Sequence, residues 1–150
     1  MSRREDIANN IIQTLKSNAY TKTGSKWVKH ITRESVDFQE LSREAFPAIF
    51  VETSNEVRED ISMGGMGSIT RDATIEYILD IYVHGANRDT QLNYCLDMVE
   101  TALDADRKRG RFADDTQLRE IETIVVGEAT PYKGVRMVFD VKYCYTTGVA

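Results

Sequence analysis

Few residues of this chain have the types and spacing that metal binding or nucleophilic catalysis needs. A metal site requires clustered His, Cys or carboxylate ligands, whereas His30 and His84 are far apart and have no ligand-spaced neighbour. Cys95 lies on the apolar stripe of a predicted helix and Cys144 in a predicted strand, outside any CxxC or Cys-His pattern. The sequence therefore predicts two reduced, partly buried thiols and histidines with structural or surface roles.

Two further segments resemble ligand-binding loops only at first sight. Asp104 and Asp106 suggest a calcium loop, but Gly110 comes one position late and Lys108 occupies a ligand position. Residues 64–68, Gly-Gly-Met-Gly-Ser, are not followed by the Gly-Lys-Ser/Thr of a phosphate-binding loop. We interpret the first segment as a solvated helix end, and neither segment predicts a metal or a cofactor.

Charged residues leave two more possibilities. Lys108, Arg109 and Arg111 are compatible with phosphate binding, although favourable placement at the negative end of a helix dipole explains them equally well. Glu76 and Asp80 lie on one face of a predicted strand, where carboxylates without a pocket are usually solvated. Taken together, these residues predict no enzymatic activity, no cofactor and no metal.

The segment 54–69 separates two predicted strands and is much longer than the roughly 2–5 residues of an ordinary hairpin loop. It combines alternating charges, glycines and apolar side chains, and both glycine and unbranched methionine suit irregular surfaces. We predict a long mobile arm that becomes ordered against another subunit, with a disordered surface loop as the alternative. The residues predicted to contact a subunit or partner are Val57, Arg58, Glu59, Asp60, Ile61, Met63, Met66 and Arg71.

Length and composition indicate a single globular domain over residues 1–150. No apolar run approaches the roughly 18 residues that cross a bilayer, and the N-terminal residues lack the pattern of a signal peptide. The formal net charge of -5 argues against a protein that coats nucleic acid. We therefore expect synthesis in a cytosol-like compartment.

The periodicity of the apolar residues predicts the element order α-β-β-β-α-β-β. The first helix starts at a capping box on Ser2 and ends near Ser17, and the second starts at Asn87 and stops at 108–110. The predicted strands are 27–32, 46–51, 73–84, 118–126 and 135–145, with a loop at 34–44 and a turn that includes Gly127, Pro131 and Gly134. This order predicts an α+β domain, with two helices packed on a mostly antiparallel sheet.

This order, with a long loop before the long strand 73–84, resembles the tail terminator (tail completion) proteins of long-tailed bacteriophages, and more loosely the tail-tube-related and neck proteins of that fold. The resemblance is carried by Phe46-Pro47-Ala48-Ile49-Phe50-Val51, by the strand 73–84 followed closely by the helix 92–103, and by the closing strand 135–145. It spans roughly residues 46–146 with the first helix added in order, and residues 21–45 do not fit the family pattern.

The resemblance implies a structural virion protein whose ring, expected to be a hexamer, caps the tail tube and joins it to the head or neck connector. Its partners would be copies of itself, the tail tube protein, the head-side connector or neck protein and, in a contractile tail, the sheath protein. DNA would pass through without specific binding, with Glu76 and Asp80 predicted to face the channel, and no membrane would be involved. The expected location is the tail or neck of the virion, after synthesis in the host cytoplasm.

Two alternatives stay open at this point. One is another neck or head-tail joining protein of the same fold. The other is a small cytosolic enzyme or ligand-binding domain, which predicts a concave pocket with convergent polar groups.

Overall fold

The computed structural model describes residues 3–18, 28–34, 41, 46–63, 69–85, 88–124 and 132–146, with the backbone alone at 60–63, 69–70 and 146. Two helices and five strands follow one another in the predicted order. They are α1 (Arg3–Ser17), β1 (His30–Thr32), β2 (Ala48–Met63), β3 (Ile69–His84), α2 (Arg88–Asp104), β4 (Asp115–Ile124) and β5 (Tyr132–Thr146). No helix of this described part is long and apolar enough to cross a membrane.

The five strands form one sheet in the order β1-β2-β3-β5-β4. The short β1 runs parallel to β2, and the other three pairings are antiparallel. The two long central strands, β3 and β5, pair continuously from Thr70 opposite Thr146 to His84 opposite Tyr132. The prediction of an α+β domain with a mostly antiparallel sheet is thus confirmed.

Both helices form because their apolar residues recur every three or four positions and can be buried together. The buried stripe of α1 is Ile7, Ala8, Ile11, Ile12 and Leu15. The buried stripe of α2 is Leu92, Cys95, Val99, Ala102 and Leu103. These stripes meet the alternate residues of β3 and β5 that point to the same side, from Ile75 to Val83 and from Val135 to Tyr143. A single core therefore lies between the helices and one face of the sheet.

The prediction that 54–69 is a long loop is wrong. Residues 54–63 continue β2 and Ile69 already belongs to β3, so that only residues 64–68 lie between the two strands. The pairing is interrupted between Thr53 and Glu56 and again between Asp60 and Ser62. Each irregularity adds a residue to one strand and breaks the alternation of apolar and polar residues. Because of these two irregularities, the alternation that identifies a strand in the sequence is interrupted, although both strands continue.

Several predicted boundaries also shift. β4 begins at Asp115 rather than at Leu118, and β5 begins at Tyr132, so that Gly134 lies inside that strand. β1 is reduced to three residues. The helix α2 ends at Asp104, ahead of the predicted stop at 108–110. The expected caps at Ser2 and Asn87, the strand residue Trp27, residues 35–40 and 42–44 of the predicted loop, and the turn residues Gly127 and Pro131 lie outside the described residues.

A buried arginine explains the early end of α2. Arg109 is 0% exposed, and its guanidinium donates hydrogen bonds to the carbonyl oxygens of Leu103 and Asp106. The same group donates to Asn10 Oδ1 of α1 at 3.3 Å. Burial lowers the pKa of Arg109, whereas the nearby carboxylates of Asp106 and Asp104 oppose that shift. The last turn of α2 is therefore capped by a side chain, not by a glycine.

Candidate functional site

The far end of the β2–β3 ladder holds most of the residues predicted to contact a partner. We call this segment the distal hairpin and define it as residues 56–63 of β2 with residues 69–75 of β3. It begins next to the first turn of α1, because the Tyr77 hydroxyl donates a 3.0 Å hydrogen bond to the carbonyl oxygen of Arg4. Paired residues point to the same side of an antiparallel ladder, and successive residues alternate. The distal hairpin therefore has one face towards the helix side and one away from it.

The helix-side face of the distal hairpin is built around Glu56. Its side chain is only 10% exposed and forms ion pairs with Arg58 and, at 3.7 Å, with Arg4. Tyr143 on β5 donates a 3.1 Å hydrogen bond to Glu56 Oε1, the same carboxylate oxygen that faces Arg4. The contact with Glu56 raises the pKa of Arg58, so this guanidinium stays charged. One carboxylate is thus shared by two arginines and a tyrosine.

Aromatic rings hold the guanidinium groups of this face in place. The Arg58 Cζ atom lies 4.9 Å from the centre of the Tyr145 ring, and the Arg3 Cζ atom lies 5.7 Å from the centre of the Tyr143 ring. Arg3 also donates a 3.0 Å hydrogen bond to the carbonyl oxygen of Phe112. Arg4 and Arg58 nevertheless keep 46% of their side-chain surface exposed. We call this group of residues the cationic face: Arg3, Arg4, Arg58 and Glu56, whose carboxylate is shared by Arg4 and Arg58.

The opposite face of the distal hairpin carries carboxylates around an exposed valine. Val57 is 62% exposed and pairs with Thr74. The next pair that points to this face is Glu59 directly opposite Asp72. These residues border a concavity of about 370 Å³ that is also lined by Asp114, Asp115 and Lys142. We call Val57, Glu59, Asp72, Asp114 and Asp115 the anionic face.

Within the anionic face, Cys144 is a thiol held between carboxylates. Its Sγ atom donates a 2.8 Å hydrogen bond to Asp72 Oδ1, and this bond, together with one to Asp114, raises the pKa of Cys144 to about 12. Ligand atoms of Asp72, Asp114 and Cys144 lie within 4.8 Å of one another. The three side chains are thus held together by hydrogen bonds from the thiol to both carboxylates.

The two residues predicted to face a channel lie farther along the same side of the sheet. Glu76 and its cross-strand neighbour Asp140 are both bound by Arg119 of β4, through a contact to Glu76 and a 3.1 Å contact to Asp140. Asp80 accepts two hydrogen bonds from Arg136, at 2.8 and 3.1 Å. The sequence placed Glu76 and Asp80 on one face correctly, but it did not reveal the arginines that neutralise them.

The basic loop that left phosphate binding open is mainly a structural element. Arg109 is buried as described above, and the Asp106 carboxylate accepts hydrogen bonds from the backbone amides of Lys108 and Gly110, at 3.2 and 2.7 Å. Arg109 and Arg111 have positive φ angles of 50° and 77°. The carboxylate therefore orders the turn, and two of the three cations remain exposed.

The remaining residues with chemical potential are dispersed. His30 lies edge-on to Phe50, with ring centres 5.9 Å apart, and His84 lies edge-on to Tyr132 at 4.8 Å. Cys95 is buried in the core, and burial raises its pKa to about 12. Both cysteines are free, as the sequence predicted.

The predicted contact residues are thus only partly brought together. Val57 and Glu59 lie on the anionic face, whereas Arg58 points to the cationic one. Arg71 is half-buried, opposite Asp60 in the strand register. The side chains of Asp60, Ile61 and Met63, and all of Met66, lie outside the described residues.

Several residues of this surface were missed. Arg3, Arg4, Glu56 and Tyr143 come from three elements, and nothing in their local sequence indicates that they meet. Asp114 and Asp115 were likewise not predicted to belong to this surface. No protein-family model matches this chain, and no curated protein is significantly similar to it.

Proposed function

We propose that this protein is a structural subunit of a bacteriophage tail, a terminator whose ring caps the tail tube and joins it to the head-side connector. The observation that carries the proposal is the distal hairpin, which combines an exposed valine with two charged faces on a strand pair at one end of the domain. Patches of opposite charge beside an exposed apolar group can steer and orient a protein–protein contact. The order of helices and strands agrees with the resemblance and supports the same proposal, although the extended β2 and β3 stand where the resemblance has a long loop.

The open edges of the sheet support assembly of identical copies. β1 covers only Ala48–Phe50 of β2, and among the described residues no strand pairs with the outer edge of β2 beyond Phe50 or with the outer edge of β4. The β2 edge and the β4 edge lie at opposite ends of the strand order. Bare edges promote uncontrolled pairing, whereas a closed ring of subunits uses them. A ring needs one surface to dock onto a different surface of the next copy, and this molecule has two different edges.

Termination in this proposal is geometric. The ring binds the end of the tube on one side and offers no equivalent surface for another tube ring on the other side. No bond is made or broken, and no cofactor or metal takes part. DNA passes through the ring, and on the sheet side that contains Glu76 and Asp80 the arginines are paired with carboxylates, which suits a channel that does not retain phosphates. Distances to the channel axis in a symmetric reconstruction test this placement.

Size-exclusion chromatography with light scattering tests the proposal, on the protein alone and mixed with tail tube subunits. We expect a closed ring, with a hexamer as the leading expectation, or binding that occurs only at tube ends. Electron microscopy then shows whether the ring sits directly on the last tube layer. A protein that stays monomeric and never associates with tube or connector proteins contradicts the proposal.

The same surfaces also suit a neck protein that joins the connector without touching the tube. Position in a reconstruction of the virion separates the two roles, because a terminator must contact the last ring of the tube. Contact with connector proteins alone assigns the neck role instead.

A further inference from the structure

The distal hairpin carries opposite charges on its two faces. We propose that neighbouring copies of this chain join head to tail through the distal hairpin, with the cationic face of one copy docked against the anionic face of the next. This inference rests on the proposed function, because it identifies the surfaces through which the ring would close. It commits to one occupant for the anionic face, namely a second copy of this chain.

Among the described residues, the cationic face has more positive charge than the neighbouring carboxylate neutralises. Glu56 contacts both Arg4 and Arg58. Arg3 contacts an aromatic ring and a backbone carbonyl oxygen. Glu56 is nearly buried, whereas Arg4 and Arg58 each leave 46% of the side chain exposed. The guanidinium groups are therefore oriented by the fold and still accessible to an external carboxylate. Guanidinium groups held in this way form strong, directional pairs with carboxylates.

The anionic face has the converse imbalance. Glu59 and Asp72 are both exposed and directly opposite each other, and like charges in that position destabilise a strand pair. Arg107 pairs with Asp115 at 2.7 Å, but the concavity between these acids is lined by only one cation of the described residues, Lys142. A guanidinium from outside would relieve the repulsion between Glu59 and Asp72. Exposed Val57 lies beside this pair and supplies an apolar contact next to the charges.

The arrangement favours a second copy over other partners. The cationic and anionic faces lie on opposite sides of the same distal hairpin. Copies related by repeated rotation about one axis can therefore each place the cationic face against the anionic face of the next copy. A two-fold contact that paired equivalent faces would set arginine against arginine or carboxylate against carboxylate. Such pairs are unfavourable, which gives the contact its direction and suppresses the wrong arrangement. A heterologous contact closes into a ring when its rotation divides a full turn evenly, and that is the arrangement we propose here.

Charge reversal provides a sharp test because the two faces can be changed separately. The first variant is Arg4→Glu with Arg58→Glu, and the second is Glu59→Lys with Asp72→Lys. Each variant alone sets like charges against each other, so we expect its dissociation constant for self-association to rise at least ~100-fold, measured by light scattering. Mixed in equal amounts, the two variants restore unlike pairs at every contact. We expect the mixture to assemble again, with the two variants alternating around the ring.

Matched controls carry the same changes of charge elsewhere. Asp97→Lys with Glu100→Lys, on the exposed side of α2, matches the second variant, and Lys16→Glu with Lys108→Glu matches the first. We expect both controls to assemble like the wild type. Thermal melting checks that each variant is folded. If the reversal at Arg58 unfolds the protein, the neutral variants Arg4→Gln with Arg58→Gln and Glu59→Gln with Asp72→Asn replace the reversed ones, with an expected loss of at least ~10-fold each.

The outcomes separate this inference from the proposed function. Normal assembly of the wild type together with normal assembly of both reversed variants overturns the inference and leaves the proposed function standing. Failure of the mixture to assemble also overturns it. A mixture that forms only dimers shows a two-fold contact and contradicts the head-to-tail arrangement. A wild type that does not associate, alone or with tube subunits, overturns both.

Discussion

The hydroxyl of Tyr77, at the centre of β3, donates a hydrogen bond of 3.0 Å to the carbonyl oxygen of Arg4 in the first turn of α1. The tyrosine is 0% exposed, and burial raises its pKa well above the usual range. This bond fixes the start of α1 over the sheet at the point where the distal hairpin begins. The positions of Arg3 and Arg4 on the cationic face therefore depend on a residue of the core.

Replacing Tyr77 with Phe should destabilise the protein. The change removes one buried hydrogen bond, and we expect the free energy of unfolding to fall by about 1 kcal/mol. For a chain of this size that lowers Tm by roughly 2–4 °C, which calorimetry detects. Tyr145→Phe is the matched control, because the buried Tyr145 hydroxyl has no hydrogen-bond partner among the described residues. It should leave stability unchanged or raise it, and an equal loss in both variants contradicts the assigned role of the Tyr77 bond.

Replacing Arg109 with Leu should be among the most destabilising single changes in the chain. The substitution leaves the carbonyl oxygens of Leu103 and Asp106 without their donor in a buried position. We expect a loss of about 3 kcal/mol in urea unfolding, because buried hydrogen bonds to a charged group are lost together. Lys108→Leu, one residue away and exposed, should change stability by less than about 0.5 kcal/mol. Similar costs for both variants would show that Arg109 does not cap α2.

The thiol of Cys144 should react slowly with alkylating reagents. Its pKa is raised to about 12 by hydrogen bonds with Asp72 and Asp114, so almost no thiolate is present at pH 8. As pH rises the rate should keep increasing beyond about pH 10, where an ordinary thiol is almost fully ionised and its rate has levelled off. Asp72→Asn removes the main cause of the shift and should accelerate alkylation at pH 8 by about tenfold for each unit by which the pKa falls.

Mass spectrometry of the alkylated peptides measures this rate separately for the two cysteines. Buried Cys95 reports unfolding in the same sample, and Asp97→Asn on α2 controls for the loss of a surface carboxylate. Rapid alkylation of Cys144 in the wild type at pH 8 is the result that contradicts the assigned hydrogen bonds.

Shortening the distal hairpin should separate folding from assembly. Arg58 pairs with Ala73, so replacing residues 59–72 with Asn-Gly closes the ladder with a two-residue turn and keeps its register. The core contains Ala73 and Ile75 but no described side chain of β2 beyond Val51. We therefore expect a folded monomer by circular dichroism and light scattering. Normal rings or normal virions from this variant mean that the hairpin is not the subunit contact.

The sequence predicted those elements whose periodicity is uninterrupted. The helices α1 and α2 and the strands β3 and β5 each bury one side, and their alternating or helical patterns identify them without further information. β1 was overestimated, because three residues that pair with only one neighbour leave almost no pattern. The order of the strands in the sheet, with β5 between β3 and β4, depends on pairing between distant residues, which local patterns do not contain.

The candidate surface was predicted less completely for a physical reason. The irregularity between Thr53 and Glu56 changes the phase of β2, so that Glu56 and Arg58 point to the helix side and Val57 to the other. Without that shift, alternation alone assigns these residues to the wrong faces. The burial of Arg109 was not predicted, because a cation after a helix is usually solvated. Only the packed structure shows that its side chain is enclosed.

The position of β5 has a consequence for synthesis on the ribosome. β5 is made after β4, yet it lies between β3 and β4 and, among the described strands, is the one that pairs with both. Until translation has passed residue 146, β3 lacks its partner on that side, and β4 has no strand to pair with. Nascent chains stalled before β5 should therefore be prone to aggregation and dependent on chaperones, and the sheet is completed once the 15 residues of β5 have been added and have left the ribosome.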